Sequence, residues 1–228
     1  MLISNSKRFI FVHIPKSGGT SITRLLDREL EWNDIVLGGT KVGEVFKDVW
    51  APRFRIDKHS LPSEIETVIS KDLYTTYTKF VVVRDPVDRF LSAFNFVRTL
   101  IDSRAEWFLR SLEYKAMDRL ESPEQFYASK YLRDAFATDP IHAHEIRRWF
   151  MPQSIYWDAE EAVNGRFLYF TLDSLAQSTR PLQDAGLIRS EHELTRENKS
   201  TTYHGSVTSE IRAQLQRTYD KDYCIFKF

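Results

Sequence analysis

Three short, uninterrupted apolar runs stand out from a chain whose other apolar positions recur at helical spacing. Phe9 to Ile14 is closed by Pro15 and a glycine pair, which fits a strand buried on both faces. Lys79 to Arg84 repeats the pattern around Phe80 and three valines, and Arg166 to Thr171 repeats it after the turn signal Asn164-Gly165. Ile22, Leu25, Leu26 and Leu30 follow the first run at helical spacing, and Val87, Phe90, Leu91, Phe94, Val97 and Ile101 follow the second. Each strand thus feeds into a helix, the pattern of a parallel α/β sheet. From about Ala105 to Trp157 the chain is rich in aromatics and charges at helical spacing, which predicts a helical insertion or subdomain.

Composition narrows the search to a pocket. The 228 residues suggest one large domain, or one with insertions, against roughly 100–200 residues per domain. Apolar residues make up 42%, charged residues 28%, and mean hydropathy is −0.40, which place the chain among soluble globular proteins. Thirty-two Lys plus Arg balance thirty-two Asp plus Glu, so no overall field draws the protein to nucleic acid or an anionic membrane, and an anion site must be local. Cys224 is the one cysteine, so neither an internal disulfide nor a cysteine zinc site can form, and a reducing cytoplasm is expected. Lys7 and Arg8 precede only six apolar-leaning residues, too few for a signal-peptide core or a membrane span, so neither secretion nor a transmembrane segment is expected.

The first chemical signal lies between the first strand and its helix, at His13-Ile-Pro-Lys16-Ser17-Gly18-Gly19-Thr20-Ser21. Glycines in such a turn let backbone N–H groups converge, and the helix N-terminus adds partial positive charge, so the loop suits a phosphate-like anion. Lys16 supplies the full charge, and Thr20 and Ser21 supply hydroxyls that either cap the helix or bond the anion. A plain capped turn with a surface lysine is the competing reading of this segment taken alone. Gly38 and Gly43 have the glycine spacing of a nucleotide phosphate loop, but Glu44 stands where that pattern needs lysine, so the segment reads as an ordinary loop.

The second signal is Val83-Arg84-Asp85-Pro86-Val87-Asp88-Arg89-Phe90-Leu91-Ser92. Asp85 is a natural N-cap and Pro86 suits the first helical position, so Arg84 ends the strand and a helix begins at once. At 100° per residue the apolar set takes one side, and Asp85, Asp88, Arg89 and Ser92 take the other, so Arg84 and Ser92 can face one anion. Ligands of open α/β sheets lie outside the carboxyl ends of the strands, where both turns must be. A solvated helix face with a structural Arg–Asp pair is the alternative. His142 and His144 read as a polar helix face rather than a metal site, and Trp107, Phe108, Trp149, Phe150 and Trp157 read as core.

Phe11 to Ile22 resembles the 5′-phosphosulfate loop of the Golgi-type and bacterial sulfotransferases related to heparan sulfate 2-O-sulfotransferase, and Val81 to Phe94 resembles their 3′-phosphate motif. Further similarity lies at Ile56 to Ser60, Met151 to Ser154, Glu197 to Ser200 and Tyr219 to Tyr223. The resemblance covers nearly the whole chain, most loosely in the helical middle. It implies a single domain over residues 1–228 with the insertion at about 105–157. The implied fold is α/β, a three-layer sandwich with a central mostly parallel sheet, P-loop-NTPase-like. The implied reaction is sulfuryl transfer from 3′-phosphoadenosine 5′-phosphosulfate to an acceptor hydroxyl, with a saccharide expected and no metal required. By position, Lys16, Ser17, Gly18, Gly19, Thr20 and Ser21 would hold the 5′-phosphosulfate, Arg84 and Ser92 the 3′-phosphate, and Lys199 and Ser200 would close over the nucleotide. Lys16 would stabilise the leaving oxygen. His59 would be the base; it precedes a helix signalled by Ser63 and Glu66 as a capping box, and Asp57 stands where the heparan enzymes carry the other histidine of a His-x-His pair. The rivals are a non-catalytic nucleotide- or glycan-binding relative and a nucleotide-dependent kinase. The second needs Mg²⁺ ligands and a signature the chain lacks.

Overall fold

A computed structural model describes residues 1–195 and 207–228. The chain begins with β1 (Leu2–Ser4), β2 (Phe9–Val12), α1 (Gly19–Asp27), β3 (Ile35–Val36), α2 (Lys41–Phe54), α3 (Pro62–Ile69), α4 (Lys71–Thr76) and β4 (Thr78–Val83). The helical middle comprises α5 (Pro86–Asp102), α6 (Glu106–Leu109), α7 (Leu112–Met117), α8 (Pro123–Ala128), α9 (Lys130–Ala137) and α10 (Glu145–Arg148). Then come α11 (Ala159–Val163), β5 (Phe167–Thr171), α12 (Leu172–Gln177), α13 (Arg180–Asp184), α14 (Ser209–Thr218) and α15 (Asp220–Phe226). These residues form two compact units: Met1–Arg84 with residues 155–195, and Asp85–Ser154 with residues 207–228.

The first unit is built on a five-stranded sheet of order β3-β1-β2-β4-β5. β2, β4 and β5 are parallel, in the register Val12↔Val81 and Val81↔Tyr169, while β1 runs against both of its neighbours. The three apolar runs are therefore the three parallel strands. β1 and β3 add an edge that the sequence pattern does not announce, since strands of three and two residues are too short to show a period. On one face Phe9, Phe11, Phe80 and Val82 pack against Ile22, Leu25 and Leu26 of α1, Leu175 of α12 and Leu182 of α13. Phe11 and Phe80 stack at 5.0 Å between ring centroids.

One charge lies within this sheet. Lys79 is fully buried in β4, yet its ammonium is satisfied by the Glu161 carboxylate, by the Tyr74 carbonyl at 2.8 Å and by the Tyr74 ring at 4.6 Å. Two expectations are corrected here. The Gly38–Gly43 segment leads into helix α2 and is no mere loop: Thr40 caps it by accepting from Gly43 N–H, and the Glu44 carboxylate accepts from Gly39 N–H at 2.9 Å. Helix α3 begins at Pro62, and its cap is the Glu64 carboxylate on Leu61 N–H at 2.7 Å, because proline's fixed φ and missing N–H favour the first helical position over a start at Ser63.

The second unit packs on α5. Asp85 caps it by accepting from Val87 N–H and Asp88 N–H, both at 3.0 Å, and Val87, Phe90, Ala93, Phe94 and Val97 form a core with Phe126, Phe150, Leu215 and Tyr219. Arg89 departs from the solvated-face reading. Its side chain is fully buried, bonded to the carbonyls of Trp149, at 2.9 Å, and Met151, with its guanidinium 5.9 Å from the Tyr219 ring. The carbonyls of an irregular segment need donors, and arginine brings several in one planar fork. Phe108, Trp149 and Phe150 are core as expected, whereas Trp107 is exposed. His144 is not part of a polar helix face: its Nδ1 accepts from Ile146 N–H at 3.4 Å and so caps α10.

The Asp222 carboxylate, fully buried, accepts from Gln153 N–H and Ser154 N–H, both at 2.8 Å, and the Tyr219 hydroxyl donates to the Phe150 carbonyl at 2.6 Å. The similar segments 151–154 and 219–223 are thus stapled to each other. Replacing Asp222 by Ala leaves two buried N–H groups without acceptors at about 1–3 kcal/mol each. Urea unfolding should show a loss of about 2–6 kcal/mol, with Asp222→Asn recovering part of it.

Candidate active site

The six residues from His13 to Gly18 carry the chain from the end of β2 to the start of α1. Lys16 (φ +66°) and Gly18 (φ +73°) both take the left-handed conformation, and the Gly18 carbonyl accepts from Ser21 N–H at 3.0 Å to open the helix. A lysine held left-handed is uncommon and stores strain, which marks the turn as over-determined by its surroundings. Gly19 is required for space: a Cβ there would lie 2.0 Å from His13 Nε2. A Cβ on Gly18 would meet Leu172, the first residue of α12, at 2.5 Å. The loop is thereby wedged between the residue that follows β2 and the start of α12.

Positive charge gathers at this turn. The first turn of α1 carries no acidic residue. Burial pushes the Lys16 ammonium down to about pKa 7, and the nearby Lys58 and Arg84 push in the same direction. Lys58 Nζ donates to Thr20 Oγ1 at 3.4 Å, and its aliphatic stem packs against Gly38, where a Cβ would meet it at 2.7 Å. Ser17 and Ser21 are buried and Thr20 half-buried at the helix start. Such a site is desolvated and preorganised for an anion, which would relieve the repulsion among the cations.

His59 is brought to the same place by a tight turn. Asp57 accepts from His59 N–H at 2.7 Å, and Asp57 N–H donates to Ser60 Oγ at 2.8 Å, so the residue in place of a second histidine serves to shape the backbone. His59 Nδ1 lies 2.9 Å from the His13 carbonyl, and the two imidazoles meet edge to face at 4.7 Å. A carbonyl only accepts, so Nδ1 carries the proton in the neutral ring and Nε2 carries the lone pair. Burial, then Lys58, hold the His59 pKa well below the usual histidine value. His13 is lowered likewise by burial and by His59, and its buried Nδ1 has no hydrogen-bond partner among the described residues.

The first unit therefore assembles Lys16 to Ser21, His59 and Arg84, the last directly after β4 on the same sheet edge as the Lys16 turn. Ser92 is half-buried on α5 in the second unit. Lys199 and Ser200 lie outside the described residues. Lys58 and His13 stand inside segments the sequence singles out, but the motifs assign neither a role. The available signal was adjacency, one next to the candidate base and one opening the glycine turn. Among the described residues no group of three or more His, Cys, Asp or Glu side chains is placed to hold a metal ion.

A strand–turn–helix turn with Lys16, Lys58 and Arg84 close together and the His59 imidazole beside it has the chemistry to hold an anionic group. A family profile described as "Sulfotransferase family" matches residues 1–228, and the chain belongs to that family. It is a sulfotransferase. Searches among curated proteins and among solved structures return no significant match.

The close approach at Gly19 has a direct test. Gly19→Ala drives a methyl into the His13 ring and should destabilise the fold by about 1–3 kcal/mol, lowering Tm by roughly 2–12 °C at this chain length. Adding His13→Ala removes the obstacle, so a double-mutant cycle should show strong coupling between the two sites.

Proposed function

We propose that the chain transfers a sulfuryl group from 3′-phosphoadenosine 5′-phosphosulfate to a hydroxyl of a carbohydrate or glycoconjugate. The observation that carries this reading is the grouping of Lys16, Lys58 and Arg84 beside an acid-free helix N-terminus, with His59 Nε2 as the lone-pair nitrogen next to them. These cations supply the positive charge, so the reading requires no metal.

In this mechanism the loop from Lys16 to Ser21 holds the 5′-phosphosulfate. Arg84 meets the 3′-phosphate, a role the motif gives also to Ser92. His59 Nε2 takes the acceptor proton as the acceptor oxygen bonds to sulfur. The bond between sulfur and the bridging phosphate oxygen breaks, and 3′,5′-adenosine bisphosphate leaves with the electron pair. Lys16 meets the charge that grows on that oxygen, and preorganised donors of this kind are typically worth about 10²–10³ in rate. The donor's own negative charge raises the depressed pKa of His59 and so strengthens it as a base. Likeness to carbohydrate sulfotransferases supports a sugar hydroxyl as the acceptor. Cys224, an exposed free thiol, suits a reducing compartment such as the cytoplasm.

Calorimetry with 3′,5′-adenosine bisphosphate tests the donor site. Binding should be metal-independent and about 10- to 100-fold weaker in Arg84→Ala, the effect of one charged hydrogen bond. Binding of ATP with Mg²⁺ alone would overturn the reading in favour of a kinase. The protonated form of Lys16 is the competent one, so affinity should fall as pH rises past about 7, by up to about tenfold per unit. Phosphate titrates lower, near 6, and Lys16→Met should flatten the profile.

His59→Ala separates enzyme from binding protein. It should lower sulfuryl transfer by about 10²–10⁴ while leaving bisphosphate binding in place. Full turnover in the variant would remove His59 from the base role.

A further inference from the structure

Helix α2 presents its apolar residues the wrong way for an ordinary surface helix. Its one buried residue is Gly43, while Val42, Val45, Phe46 and Val49 are 59%, 63%, 45% and 53% exposed. Their spacing of three, four and seven places them on one stripe. Exposed Phe54 lies at the end of the helix with its ring 5.0 Å from that of Trp50. The fourteen-residue helix is about 21 Å long. An exposed apolar patch of this kind marks a binding surface.

Two features indicate what covers it. The helix is fastened at both ends to the active site. At its start Gly38 packs on the Lys58 stem, and Gly39 N–H is bonded to Glu44. At its end Arg55, left-handed at φ +56°, turns the chain into the Asp57–Ser60 turn that carries His59. The stripe thus lies on the helix that starts against the Lys58 stem and leads into the turn that carries His59. The charges beside it are mainly basic: Lys41, Arg53 and Arg55 are exposed against one exposed acid, Asp48, while Glu44 is engaged by Lys47 at 2.9 Å. An apolar track edged by cations complements an anionic amphiphile, with chain on the valines and charge on the lysine and arginines.

We propose that α2 is the acceptor subsite for an anionic amphiphile, a molecule with an acyl- or isoprenoid-like chain and a phosphate-bearing, hydroxylated head whose hydroxyl is offered to His59. The proposal rests on the sulfuryl-transfer reading of His59 and narrows the acceptor class. A membrane surface or a second copy of the chain would also use an apolar stripe, but neither accounts for its attachment to the base-carrying turn.

The test is calorimetric titration of the full chain with monomeric 1-lauroyl-lysophosphatidylglycerol below its micelle concentration, against glycerophosphoglycerol, the same head without the chain. One-to-one binding of the lysolipid should exceed that of the head by at least about tenfold, the effect of roughly two buried methylenes. Val45→Ser with Val49→Ser changes exposed residues and should remove most of that advantage, with 3′,5′-adenosine bisphosphate titrated in parallel as the control for folding. Equal binding of head and lysolipid, or an undiminished advantage in the variant, would overturn the proposal. So would binding only to phosphatidylglycerol vesicles, which would assign the stripe to a membrane surface, or a wild-type dimer that the variant dissolves in light scattering, which would assign it to a second copy. If the bisphosphate binds and the lysolipid does not, only the amphiphile subsite fails; if the bisphosphate does not bind, the sulfuryl-transfer reading fails first.

Discussion

The site depends on a repulsion that the fold holds in place. Lys58 and Arg84 both act on Lys16 in a desolvated turn, and the first turn of α1 carries no acid. Packing must supply what electrostatics withholds. Gly19 lies against the His13 ring, Gly18 against Leu172 and Gly38 against the Lys58 stem, so the Lys16 turn and the Lys58 side chain are each locked by a contact a side chain would block. The His13 carbonyl then fixes His59. Cations held together in this way cost stability, a cost that functional sites commonly carry.

Much of this was legible in the chain. Buried parallel strands appear as unbroken apolar runs because both faces are covered, and β2, β4 and β5 have that form. The Lys16 turn was legible through its glycines, and α5 through Asp85 and Pro86. What stayed hidden depends on distance in space. Lys58 reaches Thr20 across 38 positions, and Arg89 is a structural ligand of carbonyls about 60 positions away, so neither is visible in a window of sequence. The Gly38–Glu44 segment read as a loop because glycines dominate the start of α2.

Sequence likeness to the family marks scaffold as well as chemistry. Segments 151–154 and 219–223, which resemble the family in sequence, are joined by a staple within the second unit. There Asp222 supplies acceptors to two backbone N–H groups, and Tyr219 supplies a donor to a third peptide. Tyr223 donates to Asp85, the residue that caps α5, so the same run of sequence supports the helix that follows Arg84.

The second unit is discontinuous: Leu215 and Tyr219 complete a core that Val87, Phe90 and Phe94 begin. More than a hundred residues separate these partners in the chain, so loop-closure entropy must be met before their contacts form, a topology associated with slow folding. During synthesis α5 emerges long before α14 exists to cover it. The part of its apolar face that Leu215 and Tyr219 cover must wait through translation of the third parallel strand, an interval in which exposed apolar surface favours aggregation and capture by a chaperone.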